Sequence, residues 1–469
     1  MISSCAPGAE LDPLNPWCGC GQKIGEPIVS KCLKCQKHCN AYYVKSEDTP
    51  AKIYLVRECH ACTDVPGTPR ITSARIAIDS DYFWSKKPDT ECCTNGECSS
   101  VMGTNATKGE QLHTCTIVIE IVQGCNLSCP TCYADSPQTT LEHVKPLPIE
   151  TFKKHILKRL SEQGKIDIIQ LSGGEPTLHP QFFEIVAWLA EEKRIDDILL
   201  NTNGIRLNDP DFLQQLIKVA PKGRFSVYLQ YDGVSEDGQL ELRGGDFRSI
   251  REKAITAATS AGIPVCLTQV VTHSNLSSIA KTIDRALQDP MIKWVTFQPE
   301  FISGRNDYAK LLETPVSVSH IVLSLIEHSN GLVTGKSFMP LPCSHPNCGT
   351  IGFLIKQDEV WKPVSDIVDL SNFTELIKDR MNFDIDNAVP EGCGCDDYNL
   401  DELLIHYGIA KEDVKMIFIK PFMDVRTWDE ERIKSCCTHV MTPEGKLDSF
   451  CRYYAERGAI VKPKTTVLV

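Results

Sequence analysis

The sequence predicts an α/β protein built on a parallel sheet with right-handed crossovers, a partial (β/α)6 barrel with a cysteine-rich segment on each side. Three observations predict it. Between residues 115 and 305, short β-branched runs alternate with helical runs, the pattern of repeated βα units. A cysteine triplet lies in the loop after the first of these runs. Glycine-bearing and polar segments then follow the second, third and fourth runs, at the strand ends where α/β barrels keep their chemistry.

The chain has 469 residues, 42% hydrophobic and 23% charged, enough for two or three domains with a substantial core. Its net charge of −12 argues against a nucleic-acid backbone as the main partner. No run of about 18 apolar residues is present, so no transmembrane helix is expected. The first residues, M-I-S-S-C-A-P-G, lack a basic region and an apolar region, so a cytoplasmic location is expected. The 23 cysteines come in close pairs and triplets, which suits metal thiolates better than disulfides.

In chain order, residues 1–30 read as an irregular arm rich in Gly and Pro, with Cys5, Cys18 and Cys20. Residues 31–66 read as a metal ribbon. The knuckles C-L-K-C (Cys32, Cys35) and C-H-A-C (Cys59, Cys62) are separated by 23 residues, with a β-like run over Lys52–Val56 between them. Each knuckle can wrap two thiolates around one tetrahedral ion, either zinc or a rubredoxin-like mononuclear iron. Residues 67–114 form a connecting segment with Cys92, Cys93 and Cys98. These three are either most of a further 4Fe–4S site or unpaired loop thiols.

Within 115–305 the expected strands are Cys115–Val122, Ile166–Leu171, Asp197–Asn201, Arg224–Tyr231, Pro264–Val271 and Trp294–Gln298. The expected helices are Pro148–Glu162, Pro180–Glu192, Asp209–Val219, Asp246–Ala261 and Leu276–Asp289. The first strand leads into G-C-N-L-S-C-P-T-C-Y, where Cys125, Cys129 and Cys132 form C-x3-C-x2-C. Three thiolates hold three irons of a cubane and leave the fourth open to a substrate or cofactor. Residues 306–469 read as an α+β auxiliary-cluster segment with a β-like run over Lys415–Phe422. Its cysteines include Cys343, Cys348, Cys393, Cys395, Cys436, Cys437 and Cys451. Cys343, Cys348, one of Cys436 and Cys437, and Cys451 are the candidates for an auxiliary cluster, the alternative being buried inert thiols.

C-x3-C-x2-C after a first strand resembles the radical S-adenosylmethionine (radical SAM) superfamily. In that family the segment carrying G-G-E binds the methionine moiety, a role the resemblance assigns here to Gly173, Gly174 and Glu175 of S-G-G-E-P-T-L. N-T-N-G (Asn201, Asn203) resembles the segment beside the ribose. Gln230 and Asp232 of L-Q-Y-D-G, aimed at the barrel mouth, and Arg243 resemble the polar and basic groups that contact ribose and carboxylate. One departure is Thr131, which stands where the family carries an aromatic residue, with Tyr133 just after the third cysteine.

The ribbon, the cysteine loop and the tail motifs P-C-S-H-P-x-C, I-K-P-F-M-D, C-C-x-H and F-C-R-Y narrow the resemblance. It is to archaeal tetraether lipid synthases and related methanogen enzymes described as pterin methylases, and it covers most of Lys31 to Tyr453. It implies a site 4Fe–4S cluster, S-adenosylmethionine, one or two auxiliary 4Fe–4S clusters and a rubredoxin-like metal. It also implies a reduced ferredoxin- or flavodoxin-like electron donor. The expected activity is transfer of hydrogen from an unactivated carbon to a 5′-deoxyadenosyl radical, with sp3 C–C coupling of lipid alkyl chains favoured. The alternatives are C-methylation of a pterin-like small molecule, and an iron–sulfur electron carrier without turnover. A lipid substrate without a membrane-spanning helix requires peripheral contact with the membrane, which a net charge of −12 does not favour on anionic surfaces.

Overall fold

A computed structural model describes residues 21–62, 69–83, 114–341, 344–367 and 409–459. The expected positions Cys92, Cys93, Cys98, Cys343, Cys393 and Cys395, with Cys5, Cys18 and Cys20, lie outside the described residues.

The N-terminal ribbon is an antiparallel sheet of β1 (Gln22–Lys31), β2 (His38–Lys45), β3 (Ile53–Cys59) and β4 (Arg70–Ala77), paired in that order. Val44, Tyr54 and Val56 cluster within it, with Tyr42 and Ile71 against them, and Ala41, Ile53 and Leu55 are buried as well. The four knuckle cysteines lie at its end.

The barrel strands are β5 (Thr116–Gln123), followed by the two-residue β6 (Lys145–Pro146), then β7 (Ile166–Gly173), β8 (Ile195–Thr202), β9 (Phe225–Gln230), β10 (Val265–Val271) and β11 (Ile292–Pro299). The connecting helices are α1 (Ile149–Gln163), α2 (Phe182–Glu191), α3 (Pro210–Val219), α4 (Glu236–Arg243), α5 (Arg248–Ser260) and α6 (Ala280–Leu287), with α7 (Val318–His328) after the last strand. Helix starts follow local chemistry. Pro210 opens α3, and the Asp209 carboxylate accepts from the Asp211 and Phe212 amides. One face of the sheet packs on the helices: Ile117, Ile119, Ile169 and Leu171 meet Phe152 and Ile156 of α1 and Phe182 and Ile185 of α2 in one core. Each such side chain contributes about 1.5–3 kcal/mol by leaving water.

The C-terminal segment is not a separate sheet. It supplies β12 (Met339–Pro340), β13 (Thr350–Gln357), β14 (Val360–Pro363), β15 (Val414–Ile419), β16 (Thr438–Met441) and β17 (Leu447–Ser449), all in the same sheet as the barrel strands. The order is β12-β13-β15-β11-β10-β9-β8-β7-β5-β16-β17, with β14 on β13 and β6 on β5. β15 adds in parallel to β11, and β16 adds in parallel to β5. The six expected strands stand side by side in parallel, in the order β11-β10-β9-β8-β7-β5, and the tail, expected as a flanking α+β domain, adds strands at both ends of that set. The physical reason is that β5 and β11, the ends of the six-strand set, would otherwise present open edges, and the tail pairs both. The short α8 (Glu430–Lys434) and the terminal α9 (Phe450–Ala459) flank β16 and β17. Among the described residues, no helix is long and apolar enough to cross a membrane.

The inner face of the barrel is the less buried one. On β9 the residues alternate, with Phe225, Val227 and Leu229 buried and Ser226, Tyr228 and Gln230 partly exposed. Because period-two alternation sends alternate side chains to opposite faces, the exposed set points into a hollow interior.

Candidate functional site

The site grows from the end of β5. Gly124 turns the chain at φ +118, and the loop closes on itself through Cys125 N–H to Pro137 O (2.9 Å) and Thr139 N–H to Cys125 O (2.7 Å). Leu127 N–H points at the Cys125 sulfur and Ser136 N–H at the Cys132 sulfur, each at 3.4 Å. Arg305, in the loop after β11, holds the same turn: its N–H donates to Cys132 O (2.9 Å), its Nη1 to Cys129 O (3.2 Å) and its Nη2 to Ser136 O. Gly304, at φ +58, is required there, because a Cβ would lie 2.3 Å from Tyr133 O.

Among the described residues, only the ribbon cysteines bring three or more ligand atoms within 4.8 Å of one another. Three cysteines on one loop, with loop N–H groups aimed at two of the sulfurs, fit a cubane held at three corners. Burial pushes the Cys125 thiol up to about 12, helped by the Glu175 charge, and raises that of Cys132.

The glycines of S-G-G-E lie on the cavity wall and also make a close approach to protein backbone. A Cβ on Gly173 would lie 2.3 Å from Val122 O, and one on Gly174 would lie 1.9 Å from Gly124 O. Gly174 N–H donates to Val122 O (2.9 Å) and Glu175 N–H to Gly124 O (3.0 Å). The glycines thus let β7 press against the backbone that enters the cysteine loop. Glu175 is 2% exposed, and its carboxylate accepts from Thr177 N–H (3.3 Å), Thr177 Oγ1 (2.7 Å), Thr202 Oγ1 (2.7 Å) and Asn203 N–H (2.9 Å). It fastens the β7 loop to the β8 loop. Asn203 then reaches the cysteines, its Nδ2 donating to Asn126 Oδ1 (2.7 Å) and pointing at the Cys125 sulfur (3.9 Å). Asn201 lies on the cavity wall and donates to Ser172 Oγ (3.3 Å).

Asp232 is not at the mouth, as expected, but fully buried behind Arg243. It adopts φ +58 and accepts from Arg243 Nε (2.5 Å) and Nη2 (2.9 Å), Arg251 Nη1 (3.2 Å), Gln230 Nε2 (2.8 Å) and Val270 N–H (3.2 Å). Burial works to raise its carboxyl, but the Arg243 charge and hydrogen bonds, with Arg251, hold it below the usual range. Arg243, Arg251, Gln230 and Val270 line the cavity, and Asp232 does not. Arg251 Nε and Nη2 have no hydrogen-bond partner among the described residues. The sequence carried no signal for Arg251, which sits within an ordinary helical pattern.

The cavity measures about 520 Å³ and extends from the cysteine loop to the opposite end of the strands. Val414, Met416, Phe418 and Lys420 line it in succession, so it follows about six residues of strand, roughly 20 Å. Its wall carries amides and charges, Gln170, Asn201, Gln230, Gln298, Arg243 and Lys420, beside the apolar and aromatic side chains of Leu199, Tyr228, Trp294, Phe353 and Met416, with Asp197 and Lys293 towards the far end. At the rim, Tyr133 packs with Phe301, Phe450 and Tyr454, ring centres 6.0, 5.6 and 4.7 Å away, and Phe422 stacks on Phe450 at 4.1 Å. Thr131, also on the cavity wall, donates to Leu242 O (3.0 Å).

The ribbon gathers Cys32, Cys35, Cys59 and Cys62, with Sγ–Sγ separations of 3.5 Å (Cys32–Cys62) and 3.6 Å (Cys35–Cys59 and Cys59–Cys62). A tetrahedral ion with metal–sulfur bonds of about 2.3 Å needs edges of about 3.8 Å, so the donor set fits one ion. In the tail, the Cys436 thiol feels the charges of Cys451, Cys437 and Cys348, and burial pushes it up to about 12. Cys451 accepts from Met423 N–H (3.3 Å), and Arg432 Nε donates to Cys348 Sγ (3.4 Å). The structure thus brings Cys348, Cys436 and Cys451 into one buried neighbourhood, with Arg432 and Lys420 as nearby cations. Cys437 is buried where its carbonyl accepts from the Cys115 and Thr116 amides.

Residues 119–286 match the sequence model described as the Radical SAM superfamily. A 7,8-dihydro-6-hydroxymethylpterin dimethyltransferase of Methanocaldococcus jannaschii is 26% identical over 388 residues, covering 71% of this chain and 75% of that protein. A GTP 3′,8-cyclase of Syntrophomonas wolfei is 28% identical over 183 residues, 39% of this chain and 54% of the relative. The chain therefore spans about half of that cyclase. A crystal structure of Streptococcus suis SuiB bound to S-adenosylmethionine aligns at 16% identity and TM-score 0.33, over 40% of this chain and 41% of that one. The family match falls on the strands that carry the cysteine loop, the S-G-G-E turn and N-T-N-G, and the segment 119–286 is a radical SAM superfamily domain.

Proposed function

We propose that this radical SAM enzyme takes hydrogen from an unactivated carbon of a lipid alkyl chain and couples chain ends through an sp3 C–C bond. The observation that carries the reading is the roughly 20 Å channel, along whose wall Leu199, Trp294, Phe353 and Met416 stand among the polar groups. A linear chain fits the length of such a channel, and these four side chains offer it apolar contact. When bound, the 4Fe–4S cluster and S-adenosylmethionine supply one-electron chemistry that removes hydrogen from such carbons.

The chain's own residues position and enclose. Cys125, Cys129 and Cys132 hold the cluster. Glu175 and Asn203 fix the two strand-end loops against the cysteine loop, so that Gly173, Gly174 and Asn201 line the methionine and ribose side. Arg243 and Arg251 face the cavity as cations able to meet a carboxylate, with Gln230 beside them and Asp232 behind. The aromatic rim excludes water from the reacting carbon. Cys343, Cys348, Cys436 and Cys451 are proposed as auxiliary-cluster ligands, with the Arg432 and Lys420 charges offsetting an anionic cluster. A reduced ferredoxin- or flavodoxin-like protein is the proposed donor, and peripheral membrane contact the proposed route to the lipid.

A second reading is C-methylation of a pterin-like small molecule. The Methanocaldococcus jannaschii relative favours it, as do the amides of Gln170, Asn201, Gln230 and Gln298, which suit a heterocycle. Anaerobic turnover with glycerolipid bearing deuterated chains separates the two. Deuterium in the 5′-deoxyadenosine formed supports lipid coupling. Unlabelled 5′-deoxyadenosine, with labelled methyl transfer to a pterin, supports methylation and refutes coupling.

A further inference from the structure

Outside the barrel, the ribbon makes an unusual set of contacts. Ser30 and Arg57 each stand two residues before a ligand cysteine, Cys32 and Cys59, and both are fully buried. Neither completes an apolar interface. Ser30 Oγ donates to Trp428 O (2.5 Å) and receives Arg57 Nε (3.1 Å). Arg57 Nη1 binds Leu55 O (3.1 Å), and its Nη2 reaches across to Val425 O (3.0 Å) and Arg426 O. Three carbonyls within 425–428 are thus held by two ribbon side chains. Tyr43 adds a bond from its hydroxyl to Asp429 Oδ2 (2.6 Å).

The other side of the held segment faces the active site. Asp424 Oδ2 accepts from Ile302 N–H (2.9 Å) and pairs with Arg426, whose Nη1 donates to Lys310 O (3.1 Å). Ile302 follows Phe301, and Asp424 lies two residues after Phe422. The Phe301 and Phe422 rings are 5.6 Å apart and both line the cavity rim. A continuous run of short contacts therefore leads from the knuckle cysteines to the rim.

We propose that the cysteine ribbon acts as a clamp on the aromatic rim: one metal ion at Cys32, Cys35, Cys59 and Cys62 fixes Ser30 and Arg57, which hold the 425–428 backbone and so set Phe422 and Phe301 over the cavity. Ser30 and Arg57 are positioning residues in this account, since neither lines the cavity. A buried guanidinium is costly to leave without acceptors, so Arg57 and the carbonyls move together or not at all. The inference holds for a lipid or a pterin substrate.

The test is hydrogen–deuterium exchange by mass spectrometry on the full, cluster-loaded chain, with ribbon metal content measured on each sample. Arg57→Gln keeps the ribbon ligands, and the double variant Cys35→Ser/Cys62→Ser removes the ion. Both are expected to speed exchange at 421–429 and at 300–303 at least tenfold, while peptides from 195–202 and 225–230 exchange as in the unmodified protein. Ser30→Ala, the mildest change, should give the same pattern at smaller size and keeps the test open if the double variant does not fold. Unchanged exchange at 421–429 and 300–303 in the metal-free double variant, or in Arg57→Gln, overturns the clamp.

Discussion

Replacing Asp232 by Asn tests whether the buried carboxylate, rather than the turn it sits in, holds the barrel's upper rim. Asp232 adopts φ +58, a conformation Asn tolerates well, so the backbone is not disturbed. The electrostatics are. The two carboxylate oxygens accept from Arg243, Arg251, Gln230 and the Val270 amide. Asn keeps one oxygen. The amide that replaces Oδ2 faces Arg243 Nε and Arg251 Nη1, donor against donor, in a site fully closed to water. Two charge-assisted bonds at about 1.5–3 kcal/mol each are lost, which agrees with the roughly 3–5 kcal/mol for breaking a buried pair. At 1.4 kcal/mol per tenfold, that is a rise of at least about a hundredfold in amide exchange where β9 leaves the sheet, at Tyr231 and Asp232, whose N–H groups bond Thr268 O. The pH dependence follows the same cause. A carboxyl held below its ordinary range stabilises the fold above about pH 4 and loses that contribution as pH falls through its lowered pKa. Asp232→Asn should lack this acid-side loss. A change in exchange below about fivefold would mean that the pair is neutral to the fold, and the reasoning fails.

Gly174→Ala should prevent cluster assembly, because its Cβ would meet Gly124 O at 1.9 Å; iron per chain and visible absorption after reconstitution are the measurements, with full cluster content as the contrary result. Lys415 is 2% exposed and donates to Asp289 O (2.8 Å) and Ile292 O (2.6 Å), and burial, with Lys293 nearby, lowers it to about 8. Its depressed pKa makes stability rise with pH between about 8 and the free-lysine value of about 10.4, by up to roughly 3 kcal/mol. Lys415→Met should flatten that rise in urea unfolding followed across this range. Cys348→Ser should lower iron per chain by one cluster's worth while leaving the Cys125, Cys129 and Cys132 site able to bind S-adenosylmethionine; unchanged iron would remove Cys348 from the ligand set.

The barrel was legible because its strands are long apolar runs of local origin. The expected Ile166–Leu171 and Pro264–Val271 appear as Ile166–Gly173 and Val265–Val271. The Pro210 start of α3 is likewise written in its own cap. What escaped depends on distant pairing or on weak local pattern. β1 contains Gly25 and Pro27, which lower its strand propensity and are tolerated because it lies on the edge of the ribbon. α4, which carries Arg243, begins E-D-G and has little apolar periodicity, so only its Ser235 cap hints at it. β16 is four residues long and exists because β5 offers an edge, a fact no local window contains. At the site, S-G-G-E was recognisable by composition, yet the reason for its glycines was not: they clear the Val122 and Gly124 carbonyls. The ribbon cysteines were legible because knuckle spacing alone brings four sulfurs together. The rim of Phe301, Phe422 and Phe450 was not, since its members come from three separate loops and helices.

The central claim is hydrogen abstraction from a lipid chain in the barrel channel. The most direct measurement is deuterium transfer from chain-deuterated glycerolipid to 5′-deoxyadenosine, by mass spectrometry, in the reduced and reconstituted protein. The account predicts deuterium in 5′-deoxyadenosine and its loss in a Leu199→Trp variant, whose larger side chain fills the channel at that wall position. Unlabelled 5′-deoxyadenosine formed at full rate in the presence of that lipid would contradict it.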